Sequence, residues 1–457
     1  MKIVVLGGSP KGEVSVTMQY VKYLQKLFPQ YDIKILQVAG PIHKLEKDEM
    51  AFKEIIDEVE SSDGVLWAFP LYVFLVCSQY KRFIELIWER KAQWAFKDKY
   101  AASLSTSIHF YDHTAHNYIR SVCDDLKMKY VGFYSAAMHD LLERREQEKI
   151  KLFARDFFKA IEEELETVRM YEPLNWINFD YQPAVEISSK ISTDKKIFVL
   201  TDSEQGNVGR MIEKFKDCFE NPVDVIDLNN VDIKGGCMGC LKCGQNNVCA
   251  YAGKDEFIDM YNGRLKSADV IIFAGEIRDR YLSSRWKMFF DRSFFNTHQR
   301  SLEGKQFAIF ISGPLSQVTN LREILTAYVE WQGSNLADII TDESGSSAQI
   351  DRMIAGIAKR LTNNAECSYI RPATYLGIGG MKIFRDDVWG SLRVVFKADH
   401  RAYKKSGVYD FPQKKLFRNA FVRIFYLLTS IPWIYDRMIK NFKRFMIMPY
   451  RRVLETE

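Results

Sequence analysis

At 457 residues the chain is too long for a single core and comfortable for two domains. Its 47% hydrophobic and 27% charged residues are ordinary for a soluble globular protein, and its eight cysteines lack the paired spacing of a disulfide framework. The N-terminus shows no secretory pattern, and the longest apolar run, 424–434, is too short to cross a bilayer, so a cytoplasmic protein is expected.

The first strand, 2–6, ends at Gly7-Gly8, and a helix-periodic stretch follows over 15–28. The loop between them is rich in glycine and hydroxyls where an anion would meet backbone N–H groups and a helix dipole. It has neither a Walker A ending nor a G-x-G-x-x-G pattern, which disfavours a nucleoside triphosphate or a dinucleotide. Further strands over 31–38, 64–68, 100–106 and 131–138 alternate with helices over 47–60, 78–90 and 112–127. This alternation predicts an α/β fold with a doubly wound parallel sheet and a ligand outside the strands' carboxyl ends.

The charged stretch 141–168 reads as a long helix, and 171–194 breaks periodicity as a linker between a domain over 1–170 and another over 195–366. From 195 the pattern restarts as an internal repeat, with strands over 195–200, 223–228, 269–273 and 307–313. After its second strand come Cys237, Cys240, Cys243 and Cys249, spaced C-x2-C-x2-C-x5-C. Three thiolates on one tight turn with a fourth nearby suit a [4Fe-4S] cluster, which ranks above zinc and above unmetallated thiols.

The Gly8-Ser9-Pro10-Lys11 loop with Ser15 and Thr17, then Pro70-Leu71-Tyr72 followed by Lys81-Arg82-Phe83-Ile84, resembles the flavodoxin-like NAD(P)H-dependent FMN reductases. With the cysteine loop added, the chain is similar to the iron-sulfur flavoproteins, as a tandem version. The resemblance implies that Ser9, Lys11, Ser15, Val16 and Thr17 take the FMN phosphate. It places Pro70, Leu71, Tyr72, Val73 and Phe74 against the flavin ring, with Thr106 and Ser107 in a third loop. Plain packing remains open for Tyr72 and Phe74, as does an ordinary capped turn for the Ser9 loop. In the second repeat Asp202 and Glu204 oppose a bound dianion, so each repeat is expected to keep one cofactor loop.

The expected activity is an NAD(P)H-dependent flavin oxidoreductase, with NAD(P)H as co-substrate, passing electrons from FMN to the cluster and on to a small-molecule or protein acceptor. A non-catalytic electron carrier or redox sensor is the alternative. No catalytic side chain is assigned, because the cofactors carry this chemistry.

The segment 367–457 reads as a basic helical extension. From 401 onward it holds 13 Lys and Arg against 4 Asp and Glu. Phe417, Phe421, Ile424 and Leu428 recur at helical spacing beside Arg418 and Arg423, and Ile434, Ile439, Phe442 and Met446 do so beside Arg437, Lys440, Lys443 and Arg444. The pattern leaves open peripheral membrane contact or packing onto the domains, as well as an oligomer. It carries no groove-reading motif for nucleic acid.

Overall fold

The computed structural model describes residues 1–187, 189–410, 416–450 and 454. Ser188 of the expected linker and the side chains of Arg418, Phe442, Lys443 and Arg444 of the expected tail stripes lie outside the described residues. Two parallel five-stranded sheets follow one another along the chain, making the fold a tandem of flavodoxin-like α/β repeats.

In the first repeat β1 (Lys2–Gly7), β2 (Asp32–Gln37), β3 (Gly64–Pro70), β4 (Tyr100–Ser107) and β5 (Lys129–Ala137) stand in the order β2-β1-β3-β4-β5. They are joined and covered by α1 (Val16–Leu27), α2 (Ile42–Lys47), α3 (Glu49–Glu60), α4 (Ser78–Glu89), α5 (Asp112–Asp125) and α6 (Arg144–Glu162). β1 is an unbroken apolar run because helices cover both faces of a parallel sheet. Its Val5 lies in register with Ile35 on one side and Leu66 on the other. Ile3, Val5, Val21, Leu24, Leu66, Phe157 and Phe158 share one core.

The second repeat has β6 (Ile197–Thr201), β7 (Asp224–Asp227), β8 (Val270–Glu276), β9 (Gln306–Ser312) and β10 (Asn335–Thr341), in the equivalent order β7-β6-β8-β9-β10. Its helices are α7 (Gly206–Asp217), α8 (Phe257–Met260), α9 (Ser284–Ser293), α10 (Thr319–Trp331) and α11 (Ser347–Glu366). The sequence pattern did not foretell β10. Asn335, Asp338 and Thr341 interrupt its apolar character, and as an edge strand it buries Ala337 and Ile340 while Asp338 stays exposed.

The helix expected to reach 168 stops at Glu162, and Glu164 takes a left-handed conformation. Beyond it the chain is tied to the second repeat. Buried Tyr181 donates its hydroxyl to Asp351 (2.5 Å), and the amides of Ala184 and Val185 donate to the same carboxylate (2.7 and 2.6 Å). After α11 come α12 (Tyr375–Trp389), α13 (Lys397–Ser406), α14 (Leu416–Thr429) and α15 (Pro432–Ile447). Residues 1–400 form one compact unit and 401–457 a second, so the segment 367–400, read from sequence with the extension, is part of the first.

α4 and α9 are equivalent helices of the two repeats, and they pack on each other. Their sequences run in step: Ser78, Lys81 and Glu85 answer to Ser284, Lys287 and Asp291. Lys81 Nζ lies 2.7 Å from Glu85 and 3.0 Å from Asp279 of the second repeat. Lys287 pairs with Asp291 and donates to the Tyr72 carbonyl of the first repeat at 2.9 Å. Each carboxylate also accepts from the first turn of the opposite helix, Glu85 from the Ser284 amide (2.6 Å) and Asp291 from the Ser78 amide (2.7 Å). The two repeats thus meet through a reciprocal set of buried charges. Such pairs add little net stability, but losing one member strands the other.

Candidate functional site

The first loop runs from β1 into α1. Gly8 is held by its amide bond to Ala68 O (2.7 Å), and the Ser9 hydroxyl, fully buried, accepts from the Lys11 amide at 3.2 Å. That leaves the Ser9 proton for a ligand. Ser15 caps α1 by accepting from the Met18 amide at 3.3 Å, so the first amides of a 12-residue helix open onto the same place. Lys11 stands exposed at the rim.

The second loop leaves β3 at Pro70. Val73 and Phe74 both have positive φ, 32° and 66°, a conformation that non-glycine residues hold only when their surroundings impose it. Here Tyr72 and Leu75 exchange backbone bonds of 2.8 and 3.0 Å, and Leu71 donates to Thr106 O at 3.1 Å. The Thr114 hydroxyl donates to Phe74 O, and Lys287 reaches Tyr72 O from the second repeat. The Phe74 ring is core, 4.8 Å from Tyr111 and 5.2 Å from Phe110 between centroids. Burial, with Cys237 close by, pushes the Tyr72 phenol well above its usual pKa.

Ser9, Lys11, Ser15, Val16, Pro70 to Phe74, Thr106 and Ser107 line one mostly apolar cavity of roughly 340 Å3. That is a size small-ligand sites take. Thr17 is the exception among the predicted residues. It lies buried beneath the cavity, its hydroxyl 2.6 Å from that of Thr106, and so ties the first loop to the third. The opposite wall comes from the second repeat and α12, through Asp291, Phe294, Tyr328, Trp331 and Phe384. His298 lines it too, its Nδ1 2.7 Å from buried Asp399 and its ring 4.0 Å from that of Phe384. Burial pushes the Asp291 carboxyl up, against the pull of Lys287.

The cysteine loop closes the remaining side. Cys237, Cys240, Cys243 and Cys249 line one small cavity, and Cys237, Gly239, Leu241 and Phe294 line both cavities. Gly239 has φ +63°, and a Cβ there would fall 2.0 Å from the Tyr72 hydroxyl and 3.0 Å from Lys11 Cε. Only glycine lets the loop sit on the tyrosine. Its base is fixed by Arg292, which donates to Gly235 O (2.9 Å) and forks onto Asp255, and by Gln79, which donates to Cys237 O at 3.2 Å. Burial pushes the Cys237 and Cys243 thiols up to about 12. Among the described residues no three His, Cys, Asp or Glu side chains are grouped to hold a single metal ion.

In the second repeat the turn after β8 keeps one of the two backbone bonds, Arg278 N to Tyr281 O at 3.0 Å, while Asp279 and Arg280 lack the positive φ of Val73 and Phe74. The loop after β6, equivalent to the one after β1, carries a carboxylate instead. Asp202 is buried there, accepts from Ser283 and from Trp286 Nε1 (2.9 Å), and is pushed up to about 6 by burial.

Residues 1–141 match the sequence model of the NADPH-dependent FMN reductase family. The match covers the five strands of the first repeat and stops before the second. No curated protein matches the chain. Among solved structures it is similar to FerB, a flavoenzyme NAD(P)H:(acceptor) oxidoreductase from Paracoccus denitrificans (20% identity, 35% of this chain and 97% of that one, TM-score 0.29). It is also similar to an FMN-dependent NADH-azoreductase from Bacillus anthracis in complex with FMN (14% identity, 36% and 99%, TM-score 0.25). Reading the sequence alone missed Lys287, Asp291, His298 and Asp399 around this cavity. Aligning the two repeats would have exposed the first pair; nothing in the spacing of the second pair announces it.

Proposed function

We propose that this chain is an NAD(P)H-dependent FMN oxidoreductase whose flavin site, in the first repeat, delivers electrons to a [4Fe-4S] cluster held by Cys237, Cys240, Cys243 and Cys249 of the second. The observation that carries this reading is the seating of Gly239 on Tyr72 and Lys11, which makes Cys237 a wall of both cavities. FMN, when bound, couples two-electron donors such as NAD(P)H to one-electron acceptors.

The chain's own residues bind, position and exclude water. Ser9, Ser15, Lys11 and the amides opening α1 suit a phosphate dianion without a metal. Pro70 to Phe74 give a planar ring an apolar wall, and Lys287 with Asp291 holds that turn in its left-handed form. Tyr72, whose phenol burial keeps neutral, stands between the cavity and the thiols. Four thiols around one cavity suit a [4Fe-4S] cube.

Anaerobic purification with FMN, iron and sulfide analysis tests the reading. One flavin per chain together with iron and sulfide is expected, and Cys240→Ser should lose the iron and keep the flavin. Zinc in place of iron, or a colourless protein, would overturn it. Steady NAD(P)H oxidation by the purified protein separates an enzyme from a passive carrier.

A further inference from the structure

The unit 401–457 differs from the rest of the chain in charge and in surface. It holds 13 Lys and Arg against 4 Asp and Glu, while the whole chain is only +5, so the first 400 residues are net acidic. α14 exposes large apolar side chains around most of its circumference: Phe417 is 96% exposed, Phe421 66% and Leu427 68%. Trp433 at the start of α15 is 65% exposed, and Tyr426, Tyr435 and Tyr450 are exposed as well. A patch of this extent is far more than scattered surface apolar residues and calls for a partner.

The arrangement along α15 narrows what that partner is. Exposed Arg437 and Lys440 fall on one face, and Ile434, Met438, Ile439 and Met446 on the other, by the helical period. On α14, Arg423 stands opposite the stripe Phe417, Phe421, Ile424 and Leu428. Among the described residues no helix is long and apolar enough to cross a membrane. Basic residues flanking exposed Phe, Leu and Trp, with Tyr and Trp able to stand at headgroup level, describe a surface that lies in the plane of a bilayer.

We infer that α14 and α15 form an interfacial docking element for an anionic lipid surface. The apolar stripes enter the acyl boundary and Arg423, Arg437 and Lys440 meet the headgroups. This holds whatever cofactors residues 1–400 bind.

The test is sedimentation of the full chain with vesicles of phosphatidylcholine containing phosphatidylglycerol, and with phosphatidylcholine alone. The chain is expected to sediment with the anionic vesicles and to be released by salt. Each neutralised basic residue should weaken partitioning about fivefold, so Arg423→Gln/Arg437→Gln/Lys440→Gln should lose about two orders of magnitude. Phe421→Ser/Leu428→Ser should weaken binding at every salt concentration. Equal binding to both vesicle types, or none to either, overturns the inference. So does self-association of the chain without vesicles that Phe421→Ser/Leu428→Ser abolishes, which would make a second copy the occupant.

Discussion

Replacing Lys287 with Met tests whether the second repeat builds the flavin site proposed for the first. The substitution removes the donor to the Tyr72 carbonyl and leaves Asp291, fully buried, with only its Ser78 partner. Breaking a buried ion pair from one side costs about 3–5 kcal/mol. A hydrogen bond from a charged donor is worth about 1.5–3 kcal/mol, so flavin affinity should fall at least about tenfold as the Val73–Phe74 turn loosens. Two comparisons separate local from global effects. In Lys287→Met/Asp291→Leu the stranded charge is gone, so most of the stability should return while the flavin affinity does not. In Lys81→Met the equivalent pair on the other side of the interface is broken; it contacts Glu85 and Asp279 rather than the cavity loops. That variant should lose similar stability but keep its flavin affinity within about twofold. Urea denaturation gives the first quantity, and FMN titration followed by flavin fluorescence gives the second. If Lys81→Met and Lys287→Met weaken flavin binding equally, the effect is one of general stability and the positioning argument fails.

Gly239→Ala should destabilise the protein by about 1–3 kcal/mol and disturb flavin binding, because it combines a left-handed alanine with a collision at Tyr72. Gly253→Ala, at φ +69° with nothing within 4 Å, should cost the backbone strain alone, and equal costs would show that the Tyr72 contact is dispensable. Asp202 has a folded pKa of about 6 against an ordinary 3.8, so the stability it contributes is present below about pH 4 and lost as the pH rises through about 6. Urea titrations of Asp202→Asn and wild type should therefore diverge by about 3 kcal/mol across that window, the variant becoming relatively more stable, and a constant difference would refute the burial argument.

The sheets of both repeats were legible because buried parallel strands read as continuous apolar runs, as in 3–6 and 270–273. The exception, β10, is an edge strand with polar interruptions. The loops at the strand ends were legible from small and hydroxyl residues at fixed offsets, and the cavity gathers every predicted first-repeat residue but Thr17. Thr17 is the second residue of α1, one step of the helix past Val16, and its hydroxyl turns inward to Thr106. Lys287 and Asp291 were not legible as site residues because their partners lie more than 200 positions away in sequence. A lysine and an aspartate at i, i+4 read as a solvated helix pair unless the equivalent helix is laid beside them.

The reciprocal capping of α4 and α9 is the kind of contact that two separate subunits would make, yet here both halves belong to one polypeptide. Two free subunits would come apart once diluted below their dissociation constant, and the site between them would go with them. A covalent connection replaces that bimolecular equilibrium with an effective local concentration on the order of millimolar. Occupancy of the interface is then independent of how much protein is present. It also frees each half from serving as its own mirror image: Asp202 stands in the loop after β6 while Gly8 keeps the matching place after β1, a difference that an identical pair could not hold.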